Sequence, residues 1–376
     1  MSVPRLAIVR QKYNAAGGAE RFVSRVIDAL QGKVDVTLIA RKWNQHGGQS
    51  TVRVRPFYIG SVWRDWSFAC AVREVVAAGA FDLVQSHERI PGLPLYRAGD
   101  GVHAEWLIQR ARVQSPVKRL GRWLNPYHHY LTRAERRMFE HANMRAVICV
   151  SELVKQDILR HFRIDPAKLH VIYNGIDTAT WCPELRAQLR DDARARLGLT
   201  PDQVALVFVG SGFERKGVGT AVRALAQSPA QVRLLVAGKD KHQHRYETLA
   251  AELGVSDRVT FLGSLDDVRP LYAAGDACIL PTLYEPFGNV ILEAMSMGVP
   301  VLTTHTAGAA EWIRHGDNGF VMDALDVAGF AQAIARICDG ERAAEIGARA
   351  RTTVAPHTPA AMTEKLVALY QQLLPA

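Results

Sequence analysis

The 376-residue sequence predicts an α/β chain of two doubly wound domains facing each other across a cleft. Three observations carry that expectation. Short apolar runs rich in Val, Ile and Leu recur along the whole chain and alternate with longer helical patterns. These runs are apolar throughout rather than at every second residue, as suits parallel strands covered by helices on both faces. The alternation is interrupted once, near the middle, by a charged stretch holding prolines and an Asn-Gly turn.

In the first half the strands are "RLAIVR", "VDVTLIA", "TVRVRPF", "FDLVQSH", "RAVICVS" and "LHVIYNG". Helices fit between several of them, such as "GGAERFVSRVIDAL" and "SELVKQDILRHF". The second half repeats the habit with "VALVFVG", "VRLLVAG", "RVTFLG", "ACILPT" and "PVLTT". The break lies between Asn174 and Gln203. The expected division is an N-terminal domain over 1–175, a linker and connecting helix over 176–203, a second domain over 204–355, and a C-terminal helix over 356–376 placed to pack back on the first domain.

Composition narrows the setting. Hydrophobic residues make up 48%, enough for two cores, and the net charge is +9, which favours an anionic partner. The five cysteines, Cys70, Cys149, Cys182, Cys278 and Cys338, are widely spaced and form no Cys-x-x-Cys. They read as small buried hydrophobes in a reducing compartment. The first apolar segment is short for a signal peptide and no 18-residue apolar stretch occurs, so a cytoplasmic protein is expected.

Ligands of doubly wound sheets bind beyond the carboxyl ends of the strands, and three motifs fall there. The first is "NAAGGAERF", in which Gly17 and Gly18 permit close backbone approach before a helix N-terminus. A plain tight turn explains the pair as well. It is neither a G-x-G-x-x-G nor a P-loop. The second is "VFVGSGFERKGV", where Arg215 and Lys216 precede a helix and together suit a phosphate or diphosphate; a solvated basic pair is the bland alternative. The third is "PTLYEPFGNVILEAMSMGVPVL". Glu285 sits in the loop after a strand, a helix begins near Gly288, and Glu293 lies just inside it. A carboxylate matches a cis-diol, two acceptors to two donors. The alternatives are a dipole partner for Glu285 and a solvated face for Glu293.

Taken together, "EPFGNVILE" with its following "AMSMGVPVL" resembles the signature of retaining glycosyltransferase family 4, with "GGAE" and "RKG" at the family's other contact points. The resemblance covers nearly the whole chain. Within the family, "KYNAAGGAERF", "RIPGLPLYRAGDGVHAEW" and "GSGFERKGV" are similar to the lipopolysaccharide-core glycosyltransferases of the heptose glucosyltransferase type. The resemblance implies the GT-B fold of two Rossmann-like domains, and a nucleotide-sugar substrate, UDP-glucose first, with no other cofactor. It implies that Glu285 binds the donor-sugar hydroxyls. The backbone of Phe287, Gly288, Asn289 and Val290 would approach the sugar and diphosphate. Glu293 would hold the ribose diol and Lys216 the diphosphate, with Gly17 and Gly18 on the opposite wall. Two positions depart from the family pattern. Ser211 stands where many members have Arg, leaving Arg215 to supply that charge. Where many have a catalytic His, this chain has Asp100, with His103 three residues on as an acceptor-side candidate. Asp100 is placed ahead of His103, and either could orient the acceptor instead.

No Asp-x-Asp occurs. The charge developing on a leaving diphosphate is then expected to fall to Lys216, Arg215 and the helix N-terminus after Phe287, without a metal. A front-face substitution, in which the leaving phosphate helps remove the acceptor proton, is expected; a double displacement through Asp100 stays open.

The segment from His103 to Arg145 holds nine Arg or Lys against three acids, a net +6. Trp106, Trp123 and other apolar residues are interleaved with Lys118, Arg119 and Arg122. This mixture suits an anionic membrane surface and also RNA, while a basic helix pair with buried aromatics is the bland reading. The expected partners are a nucleotide sugar, a lipid-linked glycan acceptor and the inner face of the cytoplasmic membrane, with no nucleic acid. A sugar-nucleotide epimerase of the same fold would turn over donor without acceptor. An RNA-binding protein would have no use for the Glu285–Glu293 pair.

Overall fold

The structure, a computed structural model, describes residues 3–13, 34–43, 50–79 and 81–374. The chain forms two compact units. One runs to Asn174 and takes in the last helix from Pro359; the other spans Gly175–Thr358.

The first unit is built on a seven-stranded sheet in the order β3-β2-β1-β4-β5-β6-β7. Its strands are β1 (Arg5–Tyr13), β2 (Asp35–Trp43), β3 (Ser50–Arg53), β4 (Leu83–Ser86), β5 (Leu95–Ala98), β6 (Ala146–Cys149) and β7 (Leu169–Val171). Every neighbouring pair is parallel. Alternate residues of β1 serve opposite faces, as the pleat requires. Leu6 and Ile8 join Leu38, Leu83 and Ile148 on one face. Ala7 and Val9 join Ile39, Val84 and Phe68 on the other. The first face is closed by the last helix of the chain, Pro359–Leu373, through Met362, Leu366, Leu369, Tyr370 and Leu373. That spacing keeps all five on one stripe of an α-helix. Tyr370 satisfies its buried hydroxyl by donating to Gln85 Oε1 at 2.6 Å.

The second unit has six strands in the order β10-β9-β8-β11-β12-β13. They are β8 (Val204–Val209), β9 (Val232–Ala237), β10 (Val259–Gly263), β11 (Ala277–Ile279), β12 (Val301–Thr304) and β13 (Phe320–Met322), again all parallel. Both sheets therefore reverse their winding direction once, between β1 and β4 and between β8 and β11. A reversal opens a crevice at the carboxyl ends of the two central strands, because the loops leaving them diverge to opposite faces.

Two strands were not expected. β5 hides between Pro94 and Gly99 in "GLPLYRAGD", and β13 is three residues long after "DNG". Both are too short to show periodicity, and both are fully buried. The run "TVRVRPF" is a strand only as far as Arg53.

Candidate active site

The crevice of the second unit is assembled from the loops after β8 and β11. After β8 the chain passes Gly210 and Ser211 and reaches Gly212, in the left-handed region at φ +80°. A single helical turn, Phe213–Lys216, follows. Asp240 holds its first N–H at 2.7 Å, and the Ser211 hydroxyl accepts from the Lys239 amide. Ser211 thus braces the β8 loop against the β9 loop. Gly217 closes the turn at φ +81°. A Cβ there would lie 1.8 Å from the Pro281 carbonyl oxygen, so only glycine lets the turn press against the end of β11. Thr282 Oγ1 and Leu283 N–H then donate to the Arg215 carbonyl at 3.0 and 2.8 Å.

This contact carries Arg215 and Lys216 onto Glu285. Arg215 Nη1 donates to Glu285 Oε2 at 2.8 Å and to the Tyr284 carbonyl at 3.2 Å. Lys216 Nζ donates to the same Oε2. Glu285 is fixed by its backbone as well, donating to the Thr306 carbonyl and accepting from Gly308 N–H, each at 2.9 Å. Burial pushes the Glu285 carboxyl up, but the charges of Lys216 and Arg215 and their hydrogen bonds outweigh it and hold the group below the usual carboxylate range. It is therefore ionised at neutral pH, and the cluster is one anion under two cations.

The helix Asn289–Ser296 begins at Gly288, again left-handed at φ +97°. Phe287 is buried, and its carbonyl accepts from Ala309 N–H at 2.7 Å. Glu293 is not on a solvated face: it is 8% exposed. The hydroxyl of Tyr272, itself fully buried, lies 3.2 Å from Glu293 Oε2 and 3.2 Å from the Val290 carbonyl. Burial and the Glu293 charge hold that phenol well above its usual pKa, so it is a donor only. Tyr272 in "RPLYAAGD" carried no mark in the sequence of a role beyond packing.

In the first unit Asp100 is exposed, in the turn that follows β5. Its charge faces Arg89, which donates to Glu135 at 2.8 Å and to the Gly101 carbonyl at 3.2 Å. Glu135, 32 residues from His103, is a buried carboxylate that accepts from His103 N–H at 2.7 Å and Ala104 N–H at 3.3 Å, and so caps the helix His103–Ala111. The His103 ring stacks on His128, with Nε2 3.0 Å from His128 Nδ1. Burial, then the nearby Arg89 and His128, lowers its pKa to about 3. His103 is thus a neutral imidazole, suited to hydrogen bonding rather than to donating a proton from a charged ring. Trp106 is half-buried beneath Arg110, whereas Lys118, Arg119 and Trp123 are exposed on the helix Pro116–Trp123. The Arg122 side chain lies outside the described residues, as do Gly17 and Gly18. Among the described residues no three His, Cys, Asp or Glu side chains converge as metal ligands would, and no helix is long and apolar enough to cross a membrane.

Comparison with known proteins follows the same division. The family model for glycosyltransferase family 4 matches residues 16–180, and that for glycosyl transferases group 1 matches residues 203–340. The lipopolysaccharide glucosyltransferase WaaG of Escherichia coli (strain K12) is 33% identical over 245 residues, 64% of this chain and 63% of that protein. The lipopolysaccharide core biosynthesis glycosyltransferase LpsE of Rhizobium meliloti (strain 1021) is 40% identical over 144 residues, 38% of this chain and 42% of that protein. The chain thus spans less than two thirds of either relative in these alignments. The crystal structure of WaaG, described as a glycosyltransferase involved in lipopolysaccharide biosynthesis, superposes with a TM-score of 0.81 at 25% identity, covering 97% of this chain and 99% of that one. Two parallel sheets with the same winding and two family matches that together span well over half of the sequence place the molecule: the chain belongs to the family 4 glycosyltransferases and has their GT-B fold.

Proposed function

We propose that this chain is a retaining, metal-independent hexosyltransferase that moves glucose from UDP-glucose to the lipopolysaccharide core or a related lipid-linked glycan. The observation that carries the reading is the meeting of Lys216, Arg215 and Glu285 at the carboxyl ends of β8 and β11. The Lys216 ammonium is nearly buried and the carboxylate beside it is kept ionised. A cation already largely desolvated, with a second held beside it, stabilises a leaving diphosphate with little reorganisation as its charge grows. The ionised Glu285 accepts hydrogen bonds from the hydroxyls of the transferred sugar. Glu293, steadied by Tyr272, accepts those of the ribose, and the amides at the start of the Asn289–Ser296 helix face the diphosphate. Transfer proceeds on the face from which UDP departs, the departing phosphate oxygen taking the acceptor proton, and Asp100 orients the acceptor.

Attachment to the inner face of the cytoplasmic membrane belongs to the same reading. On the helix Pro116–Trp123, Val117, Leu120 and Trp123 share one face, and all three are exposed, with Leu124 following. An amphipathic helix that turns its apolar face to solvent and carries only cations suits an anionic lipid interface. No acid occurs from Trp106 to Ala134.

A thermal-shift panel of UDP-, GDP-, ADP- and CMP-sugars, followed by transfer assays on lipid-linked acceptors, tests the proposal. A shift specific to UDP-glucose, with sugar release that depends on acceptor, is expected. Stabilisation by a different donor alone would overturn the donor assignment, and turnover without acceptor would replace transfer by epimerisation.

A further inference from the structure

We propose that a second, separate segment, Phe57–Trp66, inserts into the same lipid surface as the basic helix Pro116–Trp123, so that the two form one docking platform. The inference rests on the membrane reading above and extends it to residues outside the basic region. The segment "FYIGSVWRDW" turns large apolar side chains to solvent: Phe57 is 72%, Ile59 68% and Trp66 53% exposed. Isolated exposed apolar residues are ordinary, but a contiguous group of this size on a soluble surface marks an interaction site.

The turn that presents them is anchored from within. Arg41, nearly buried, donates to the Pro56 carbonyl at 2.9 Å and to the Arg64 carbonyl at 3.0 Å, and its guanidinium lies 4.6 Å from the Tyr58 ring centre. Phe57 meets Trp63 edge-on at 5.7 Å. The inner side of the turn is thus filled by Arg41, which leaves Phe57 and Ile59 facing outward. The same turn opens the helix Gly60–Ala78, with Ile59 at its N-cap.

The two apolar segments flank one joint. Asp65 Oδ2 accepts from the Tyr127 hydroxyl at 2.9 Å, and Arg64 Nη2 donates to the Tyr127 hydroxyl oxygen at 3.4 Å. Asp65 Oδ1 is held by Arg64 and Gln11. Trp66 follows Asp65 directly, and Trp123 and Leu124 precede Tyr127 by a few residues, on the far side of the Asn125 cap. The joint therefore ties the start of the Gly60–Ala78 helix to the first turn of the helix Pro126–Phe139, which follows the basic helix directly.

Charge selects the occupant. Arg53 and Arg55 precede the segment Phe57–Trp66, whose Arg64 and Asp65 pair with each other in the joint, and the run from Trp106 to Ala134 adds six cations with no acid. Two copies meeting through such a face would bring like charges together, whereas an anionic bilayer neutralises them and receives the apolar side chains. Cations attract at long range and are screened by salt; inserted Phe, Ile and Trp supply a part that salt does not weaken.

The test is co-sedimentation with vesicles of phosphatidylcholine alone and with phosphatidylglycerol added, at low and high salt, using the full chain. The variant is Phe57→Ser, Ile59→Ser and Trp66→Ser together. Serine is a preferred N-cap residue, so the change at Ile59 favours the helix, and an unchanged melting temperature separates docking from folding. The expected result is a fall in partition on the order of 10³-fold at high salt, each of the three inserted side chains contributing about tenfold. Lys118→Ser, Arg119→Ser and Arg122→Ser together lose binding chiefly at low salt. If the apolar variant partitions like the wild type while the basic variant does not, the second segment is no part of the platform and the membrane reading stands. If the wild type binds no vesicle, both fail. If the apolar substitutions abolish self-association and leave vesicle binding unchanged, the partner is a second copy.

Discussion

The Lys216–Arg215–Glu285 cluster predicts a coupled response to substitution. Two cations share one oxygen, and their exposure differs: the Lys216 side chain is 10% exposed and that of Arg215 37%. Lys216→Met leaves Glu285 paired with Arg215, so its cost is about 1–2 kcal/mol. Arg215→Met removes a more solvent-screened partner and costs about 1 kcal/mol or less. With both replaced, a largely buried carboxylate has no cation, and breaking a buried pair in this way costs roughly 3–5 kcal/mol. The double variant should therefore exceed the sum of the singles by about 1 kcal/mol or more. For a unit of this size that is a further fall of about 2–4 °C in melting temperature.

The pH dependence follows from the sign of the shift. In the wild type the Glu285 pKa is lowered, so its stabilisation is present above the unfolded value of about 4.3 and is lost as pH falls through the folded value. In the double variant burial acts unopposed and the folded pKa rises above the unfolded one. The ionised carboxyl then destabilises at neutral pH, and that penalty disappears on acidification. The gap between wild type and double variant should be widest near pH 7.5 and shrink toward pH 4. Thermal unfolding of the four proteins by circular dichroism at both pH values measures this. Additive effects, or a gap that is the same at both pH values, would refute the electrostatic account of the cluster.

Other expectations can be checked alongside. Lys216→Ala should lower kcat on the order of 10²-fold while donor affinity changes less, and EDTA should leave wild-type transfer intact; loss with EDTA and recovery with Mg²⁺ or Mn²⁺ would overturn the metal-free mechanism. Glu293→Ala should weaken UDP binding more than Glu293→Gln, which keeps one acceptor, and Tyr272→Phe should weaken it as well by withdrawing the donor at Oε2; equal affinities by titration calorimetry would remove the ribose assignment. Gly217→Ala combines a left-handed backbone with a 1.8 Å approach to Pro281, so a loss of about 2 kcal/mol or more is expected; a melting temperature within a degree of wild type would count against the close packing of the two loops.

Much of the architecture is local in origin. The continuous apolar runs of β1, β2, β8 and β9 and the helix Val218–Ala226 between the last two are set by burial of short segments on both sides, which leaves its trace in composition. Gly212, Gly217 and Gly288 mark backbone turns at strand ends that few other residues adopt, so the motifs could be placed before any coordinates were known. What the sequence left open depends on residues far apart along the chain. β5 and β13 are strands because their neighbours supply the hydrogen bonds, not because three or four residues declare a period. Glu285 meets Lys216 across 69 residues only because β8 and β11 lie side by side, which turns a carboxylate and an ammonium that stand in separate motifs of the sequence into one charge cluster. Tyr272 became part of the site by packing beneath Glu293. The direction of an amphipathic face is likewise tertiary. Val117, Leu120 and Trp123 have the spacing of a buried stripe, and Phe57 and Ile59 resemble the end of a strand. Only the fold determines that, among the described residues, these side chains stay exposed, because burial is a property of what packs against a side chain and not of the side chain itself.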